Sequence, residues 1–348
     1  MTVDRSHPLR RALHDEVHAR PPLSLATPSR LTCLALMSSA DELAKEIALL
    51  GELAVQHGLP PPKAEAGHCV IEAPGFRLKW ERHTEYSRYV IAVDGAGSRP
   101  FAEPATASLP RDWLARLPGQ TLYAGHAEVV SGDTRAGEGF STTSNESFGG
   151  RALVGSLIAG GLATVLTDFR IDEQGFSRLL LIDGGMTPAQ CGRAVQALLE
   201  VDTYRLLALL AFPVARELSP QLARDERELS SIANELVHID KTQEPVLLER
   251  LTRLQAEIER YEADHHYRFG AAEAYHEIVQ RRLEQLREER VDSLQTMQEF
   301  MERRLAPAMN TCIAVMARME SLSQRVTRAT QLSSRSPVKG KTSNCSNP

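Results

Sequence analysis

Residues 247–261 read LLERLTRLQAEIERY, and this stretch decides the fold of the second half of the chain. Its apolar residues recur at spacings of four and three with charged residues between them, as in helices that pack against other helices. The same pattern precedes it at residues 222–239 and returns at 294–326. It predicts a long antiparallel helical arm of three segments, similar to a coiled coil, with Pro307 splitting the last segment near Leu305.

The first half instead mixes strand and helix patterns. Alternating or short apolar runs at residues 30–37, 76–81, 86–93, 121–130 and 176–182 predict strands. In the second run Lys79 and Glu81 face away from Trp80, which predicts a hairpin with one wet, that is solvent-exposed, face. Capping signals, Ser39 with Glu42 and Thr187 with Gln190, predict helices after residues 39 and 187.

These patterns define the predicted organisation. An α+β domain of mixed sheet and helices covers residues 1–215, and the helical stalk covers 216–332. The tail at 333–348, rich in Ser, Lys, Asn and Pro, has almost nothing to bury and is predicted to be disordered. The glycine-containing stretch SGDTRAGEGF at 131–140 is predicted to be a mobile loop.

Composition limits the classes of function. Forty basic and forty-five acidic side chains give a net charge of -5, so we expect no nucleic-acid partner. The five cysteines are scattered without a CxxC pair, which is typical of a reducing compartment.

The N-terminus lacks an apolar signal segment. The longest apolar stretch, 152–166, is broken by glycines and too short to span a bilayer. We therefore expect this chain in the cytoplasm.

A partial metal motif occurs near the N-terminus. His14 and His18 stand one helical turn apart, as in the HExxH zinc motif, but Asp15 takes the place of the motif's glutamate. His14 and His18 are therefore the candidate metal ligands. No third ligand is identifiable, and we favour the alternative that this is a structural segment whose polar groups pair locally.

Other polar groups also have structural interpretations. Glu81, His83 and Glu85 would share a face if their strand continued, yet they suit the wet face of a hairpin better. Asp202 falls within an apolar stripe and should pair with Arg205 or Arg170. The glycines of FGGRALVGSLIAGG, residues 148–161, match no phosphate-loop motif, so close backbone packing is the better explanation. No catalytic residue, cofactor-binding residue or cofactor is predicted.

Several segments occur in the order of a known bacterial family. They are HPLRRALHDEVHARPP, FRLKWERHTEYSRY, TDFRI with GFSRLLLID, GMTPAQCGRAVQALLEVDTYRLLALLAFPVARELSP, HYRFGAAEAY, ERRLAPAMNTC and LSQRVTRATQL. Over about His7 to Leu332 the chain resembles the domain of unknown function 3422 family, uncharacterised membrane-anchored proteins. The resemblance implies no established activity. It implies membrane helices after the last segment, which would place full-length relatives at the cytoplasmic face of the inner membrane.

Beyond Leu332 the Ser/Lys/Asn tail departs from the family pattern, and we interpret it as a truncated or frameshifted end. The apolar seam through Met319, Leu322 and Val326 should then lack neighbours and stay partly exposed. Our leading hypothesis is a non-enzymatic, membrane-tethered assembly or scaffold protein that forms a homo-oligomer through its stalk. One alternative is a divergent ion-transport subunit, which is similar in architecture to CorA-type magnesium channels but lacks their Gly-Met-Asn motif. Another is a metal-dependent hydrolase using His14 and His18.

Overall fold

The computed structural model describes residues 6–134, 147–237, 243–291 and 294–334. Most of the loop predicted at 131–140 and most of the tail predicted at 333–348 lie outside these residues. The chain divides into two compact units. The mixed unit comprises Met1–Leu207 and His276–Arg304, and the helical unit comprises Ala208–Tyr275 and Leu305–Pro348. Residues 276–304, which the apolar repeat had placed in the stalk, thus group with the mixed unit.

Nine strands of the described chain form one mixed sheet in the order β2-β3-β4-β1-β5-β8-β7-β6-β9. They are β1 (Ser29–Met37), β2 (His68–Ala73), β3 (Phe76–Arg82), β4 (Tyr86–Asp94), β5 (Gln120–Ser131), β6 (Val154–Ile158), β7 (Ala163–Thr167), β8 (Ser177–Asp183) and β9 (Glu289–Arg290). Neighbours pair antiparallel except β5 and β8, which are parallel. The predicted mixture of sheet and helices is therefore confirmed.

Two of the described helical segments begin at the capping residues predicted from the sequence. They are α1 (Arg10–His18), α2 (Leu43–Gln56), α3 (Arg111–Ala115), α4 (Pro188–Leu209), α5 (Ala211–Val237), α6 (Glu244–Leu286), α7 (Met297–Arg304) and α8 (Ala306–Ser334), with 3-10 turns at Ala40–Glu42 and Ala105–Ser108. The carboxylate of Glu42 accepts the Ser39 N–H at 2.7 Å, and the Gln190 amide oxygen accepts the Thr187 N–H at 2.9 Å. Both predicted caps are confirmed, as is the break at Leu305.

One face of the sheet carries an apolar core of the mixed unit. Leu50 and Leu53 of α2 pack there against the strand residues Leu78, Trp80 and Ile91. The indole N–H of buried Trp80 donates to the Glu46 carboxylate of α2 at 2.9 Å. This bond satisfies the polar atom that burial of a tryptophan would otherwise leave without a partner.

The opposite face of the hairpin formed by β3 and β4 is also covered, so the prediction of one wet face was wrong. Lys79 is 4% exposed and Glu81 1% exposed. Lys79 Nζ lies 3.4 Å from the side-chain oxygen of Gln196 on α4, which packs over this face. Strand alternation placed these charged residues correctly opposite Trp80, but it carries no information on what packs against them.

The helical unit is built from α5, α8 and the part of α6 up to Tyr275. Arg250 of α6 pairs with both Glu228 and Glu235 of α5, each at 2.8 Å, and α5 and α6 run antiparallel. Arg318 of α8 pairs with Glu226 of α5 at 2.8 Å. These partly exposed ion pairs link the three helices. Whether the helices form a coiled coil stays a prediction.

The apolar repeat is buried within this single chain. The buried residues are Leu222, Leu229, Ile232, Leu247, Leu251, Leu254, Ile258, Met309, Cys312, Val315, Met319, Leu322 and Val326. The expectation that the seam through Met319, Leu322 and Val326 stays partly exposed was therefore wrong, since these residues are 5%, 1% and 0% exposed. In the described part of the chain, no helix has both the length and the apolar content to cross a membrane.

Candidate functional site

A buried cluster of charged side chains begins on the hairpin of β3 and β4. Glu81 and Arg88 stand directly opposite each other in the antiparallel register, and the guanidinium Nε donates to the carboxylate at 2.8 Å. Lys79 lies two positions from Glu81 on the same face, and its Nζ is 2.9 Å from the other carboxylate oxygen. Glu81 is therefore paired with two buried cations at once.

Two helices complete this cluster. On α4, Gln196 lies one turn before Glu200 and donates from Nε2 to its carboxylate at 2.8 Å. The Glu200 carboxylate also accepts from Arg88 at 3.3 Å and from Arg282 of α6. We call Lys79, Glu81, Arg88, Gln196, Glu200 and Arg282 the Glu81–Glu200 network.

The segment after α1 covers the network from one side. The carbonyl oxygen of Pro21 accepts from Lys79 Nζ at 2.7 Å, and the Leu25 N–H donates to the Pro188 carbonyl at 3.0 Å. Where this segment crosses α4, a Cβ on Gly192 would lie only 1.8 Å from the Leu23 carbonyl oxygen. Glycine is therefore needed at position 192, because any side chain would separate the segment from the helix.

A small cavity lies beside the network. It is lined by Leu23, Leu25, Leu31, Lys79, Glu81, Arg88, Val90, Gly192, Val195, Gln196 and Leu199, and its volume is about 20 Å³. This volume holds about one water molecule and leaves no space for a substrate. The charged groups of the network therefore face one another and, at most, a buried water.

The electrostatics follow from burial and from this pairing. Burial by itself would raise the pKa of Glu81, but the neighbouring charges of Arg88 and Lys79 lower it below its ordinary value. Burial opposes the charge on Arg88, yet Glu81 and Glu200 raise its pKa. Buried charges are tolerated when each is paired and hydrogen-bonded, as they are here. The arrangement suits an ionised structural network.

The predicted trio of Glu81, His83 and Glu85 does not behave as one wet face. Glu81 belongs to the buried network, whereas His83 stacks on Tyr86 with ring centroids 4.3 Å apart. Burial, followed by the charge of Arg88, lowers the pKa of His83 to about 4. His83 is therefore neutral at physiological pH.

His14 and His18 lie on α1, where both side chains are exposed. The helix places them one turn apart, as the zinc motif requires, but it buries none of its residues. Among the described residues, no group of three or more His, Cys, Asp or Glu side chains has an arrangement suited to holding a metal ion. Metal binding by His14 and His18 stays a prediction.

The structural interpretation of Asp202 is confirmed. The residue is 3% exposed, and its carboxylate lies 2.5 Å from the guanidinium of Arg205, one of the two predicted partners. It also accepts the hydroxyl of Ser177 at 3.1 Å.

In the glycine-rich stretch at 148–161, close backbone packing is confirmed only at Gly155, where a Cβ would lie 2.7 Å from the Val165 carbonyl oxygen. The prediction was wrong for the other glycines, where a Cβ would meet nothing within 4 Å and a positive φ favours glycine instead: Gly149, Gly150, Gly160 and Gly161.

Sequence reasoning missed the partnership among Arg88, Glu200 and Arg282. One signal was available, because Arg88 interrupts an otherwise apolar strand and a charge in such a strand needs a partner. The partner itself was not identifiable, since Glu200 lies 112 positions further along the chain. The network joins FRLKWERHTEYSRY to the helix of TPAQCGRAVQALLE, two of the segments that carry the family resemblance.

Comparisons with known proteins give one result. Residues 5–341 match the family described as "Protein of unknown function (DUF3422)", which extends the resemblance beyond Leu332 and covers nearly the whole chain. Neither a curated protein nor a solved structure matches the chain. The chain belongs to the DUF3422 family.

Proposed function

We propose that this chain is a non-enzymatic assembly protein whose helical unit binds a second copy of itself. The observation that carries the non-enzymatic part is the Glu81–Glu200 network. Each of its two carboxylates is paired with two cations, beside a cavity of about 20 Å³. Catalytic acids and bases must reach a substrate within hydrogen-bonding distance, whereas Lys79, Glu81, Arg88 and Glu200 are each at most 4% exposed.

The helical unit supports the assembly part of the proposal. Its apolar seam is satisfied within the chain, so contacts with a second copy must use the outer surface of the helices. Among the described residues of this unit, three large apolar side chains lie there: Val246 is 58% exposed, Tyr267 56% and Ile313 47%. The part of α6 that belongs to this unit, residues 244–275, extends roughly 48 Å and offers a long surface for such contacts. The proposal retains the membrane tether that the family resemblance implies for full-length relatives.

Sedimentation velocity of the purified chain without detergent, over a hundredfold range of concentration, tests this function. We expect reversible self-association. Val246→Asp and Ile313→Asp should each raise the dissociation constant about tenfold, because a charge replaces an exposed apolar contact. These side chains are already exposed, so the variants should fold.

Val55→Asp is the matched control. Val55 is also an exposed helical valine, 62% exposed, but it lies on α2 in the mixed unit. Its substitution should leave the dissociation constant unchanged. A wild-type chain that stays monomeric throughout the concentration range would exclude self-association.

A further inference from the structure

A second pocket of the mixed unit is large enough for a small molecule. Its volume is about 480 Å³, and its described lining residues are Arg99, Pro100, Phe101, Ala102 and Arg178. Ligand pockets in proteins generally have volumes of roughly 300–1,000 Å³. This pocket is distinct from the cavity beside the Glu81–Glu200 network, with which it shares no described lining residue.

The wall of the pocket is held in place by hydrogen bonds. Residues 95–104, which follow β4, form this wall. Arg30 of β1 donates to the Glu103 carbonyl at 2.8 Å and to the Gly95 carbonyl at 3.3 Å. The Glu103 carboxylate in turn accepts the Ser98 N–H at 3.1 Å. Since both ends of this wall are bonded to Arg30 of one strand, the wall is held in place without a ligand.

Phe101 occupies an unusual backbone conformation within this wall. Its φ of 62° lies in the left-handed region, which a bulky residue rarely adopts. The conformation is held because the Phe101 N–H donates to the buried carboxylate of Glu128 at 2.6 Å and its ring packs against Phe148. Strained residues that the surroundings hold in this way concentrate at binding sites.

The charged side chains in the described lining of the pocket are basic. Two of its described lining residues are arginines, and none of them is acidic. Arg178 donates to the Asp172 carboxylate at 3.0 Å and to the Ser147 carbonyl at 3.2 Å. These bonds use two of its five N–H donors, and its side chain remains 34% exposed. Asp172 offsets the charge of Arg178, but Arg99 is exposed and forms no ion pair among the described residues.

We propose that this pocket binds a small organic oxyanion through Arg99 and Arg178. Guanidinium groups bind carboxylates and phosphates through charge-assisted hydrogen bonds, often in pairs. The oxyanion contacts both arginines, and the rest of the molecule lies against Pro100 and Phe101. Carboxylates and phosphates share this chemistry, and the experiment separates them.

Isothermal titration calorimetry at low, matched ionic strength provides the test. The probes are glycerol 3-phosphate, succinate and inorganic phosphate, with neutral glycerol as the uncharged control. We expect saturable binding of at least one anionic probe and none of glycerol. The probe that binds most tightly identifies the phosphate or the carboxylate as the preferred group.

Variants of the two arginines link binding to the pocket. Arg99→Gln and Arg178→Gln should each weaken binding about tenfold or more, because each removes a charge-assisted contact. Arg111→Gln, an exposed arginine of α3 outside the described lining, should bind as wild type. If Arg178→Gln does not fold, Arg99→Gln decides the result, since its side chain is exposed. Absence of saturable binding by every anionic probe, or wild-type affinity in Arg99→Gln, overturns the proposal.

Discussion

At the scale of single residues, the mixed unit depends on charges that are buried and paired. Glu81 is 1% exposed and is paired with Lys79 and Arg88, which are 4% and 3% exposed. A buried ion pair contributes little net stability compared with an apolar pair, because both charges lose their hydration. Removing one partner is much more costly, since the remaining charge is then buried and uncompensated.

Glu81→Ala should therefore destabilise the protein strongly. We expect a loss of about 3–5 kcal/mol in the free energy of unfolding, measured by urea denaturation at pH 7. The control is Glu249→Ala, which removes an exposed pair with Arg253 in which both side chains are more than 70% exposed. That loss should stay within about 0.5 kcal/mol. Equal denaturation midpoints for the two variants would contradict the role assigned to Glu81.

The pH dependence of this effect has a definite sign. Because the pKa of Glu81 is lower in the folded protein than in the unfolded chain, its ionised form stabilises the fold. This contribution is complete above the unfolded pKa of about 4.3 and is lost as the pH falls through the folded value. The difference between wild type and Glu81→Ala should consequently be largest at neutral pH and shrink in acid.

At the scale of elements, the contact between α4 and residues 21–25 depends on one glycine. A Cβ at position 192 would lie 1.8 Å from the Leu23 carbonyl oxygen, so backbone would have to move. Gly270 in α6 is the opposite case, because a Cβ there meets nothing within 4 Å. Substitution of alanine for glycine should therefore change the free energy of unfolding in opposite directions at the two positions.

Gly192→Ala should lower the free energy of unfolding by about 1–3 kcal/mol because of the forced displacement. It should also speed hydrogen exchange of the Leu25 amide, which donates to the Pro188 carbonyl. Gly270→Ala should instead raise the free energy of unfolding by about 0.5–1 kcal/mol, since alanine favours the helix. If the Leu25 amide exchanged faster than wild type in Gly270→Ala, or at the wild-type rate in Gly192→Ala, the contact would not depend on position 192.

At the scale of the whole molecule, the apolar seam of the helical unit is completed by one chain. Leu251 of α6 is 0% exposed and Leu322 of α8 is 1% exposed. Stability that comes from packing within a chain does not depend on protein concentration, whereas stability from association does. The seam therefore differs from the outer surface that we propose for self-association.

Leu251→Asp and Leu322→Asp should each destabilise the helical unit by several kcal/mol, because each buries an unpaired carboxylate. Thermal unfolding followed by circular dichroism measures this loss, and it should be equally large at the lowest concentration, where any assembly has dissociated. A loss that vanishes on dilution would indicate that the seam is completed by a second chain.

Local sequence patterns predicted the long helices, two caps and five of the nine described strands. These features depend on residues only a few positions apart. The sequence therefore predicted the helix at 247–261, the Thr187 cap and the break at Leu305. The pairing of Asp202 with Arg205 was predictable for the same reason, since three positions separate them on one helix. Family membership was also readable, because it depends on the order of the segments.

Which charged residues are buried depends on tertiary packing and was not predictable from the sequence. Strand alternation placed Lys79 and Glu81 on one face correctly, but α4 covers that face and turns predicted surface residues into a buried network. The sequence also did not predict the pocket that Arg99 and Arg178 line. Nor did it predict that residues 276–304 group with the mixed unit. The physical reason is common to all three: burial is set by elements far apart in the chain, and local periodicity describes only a residue's own element.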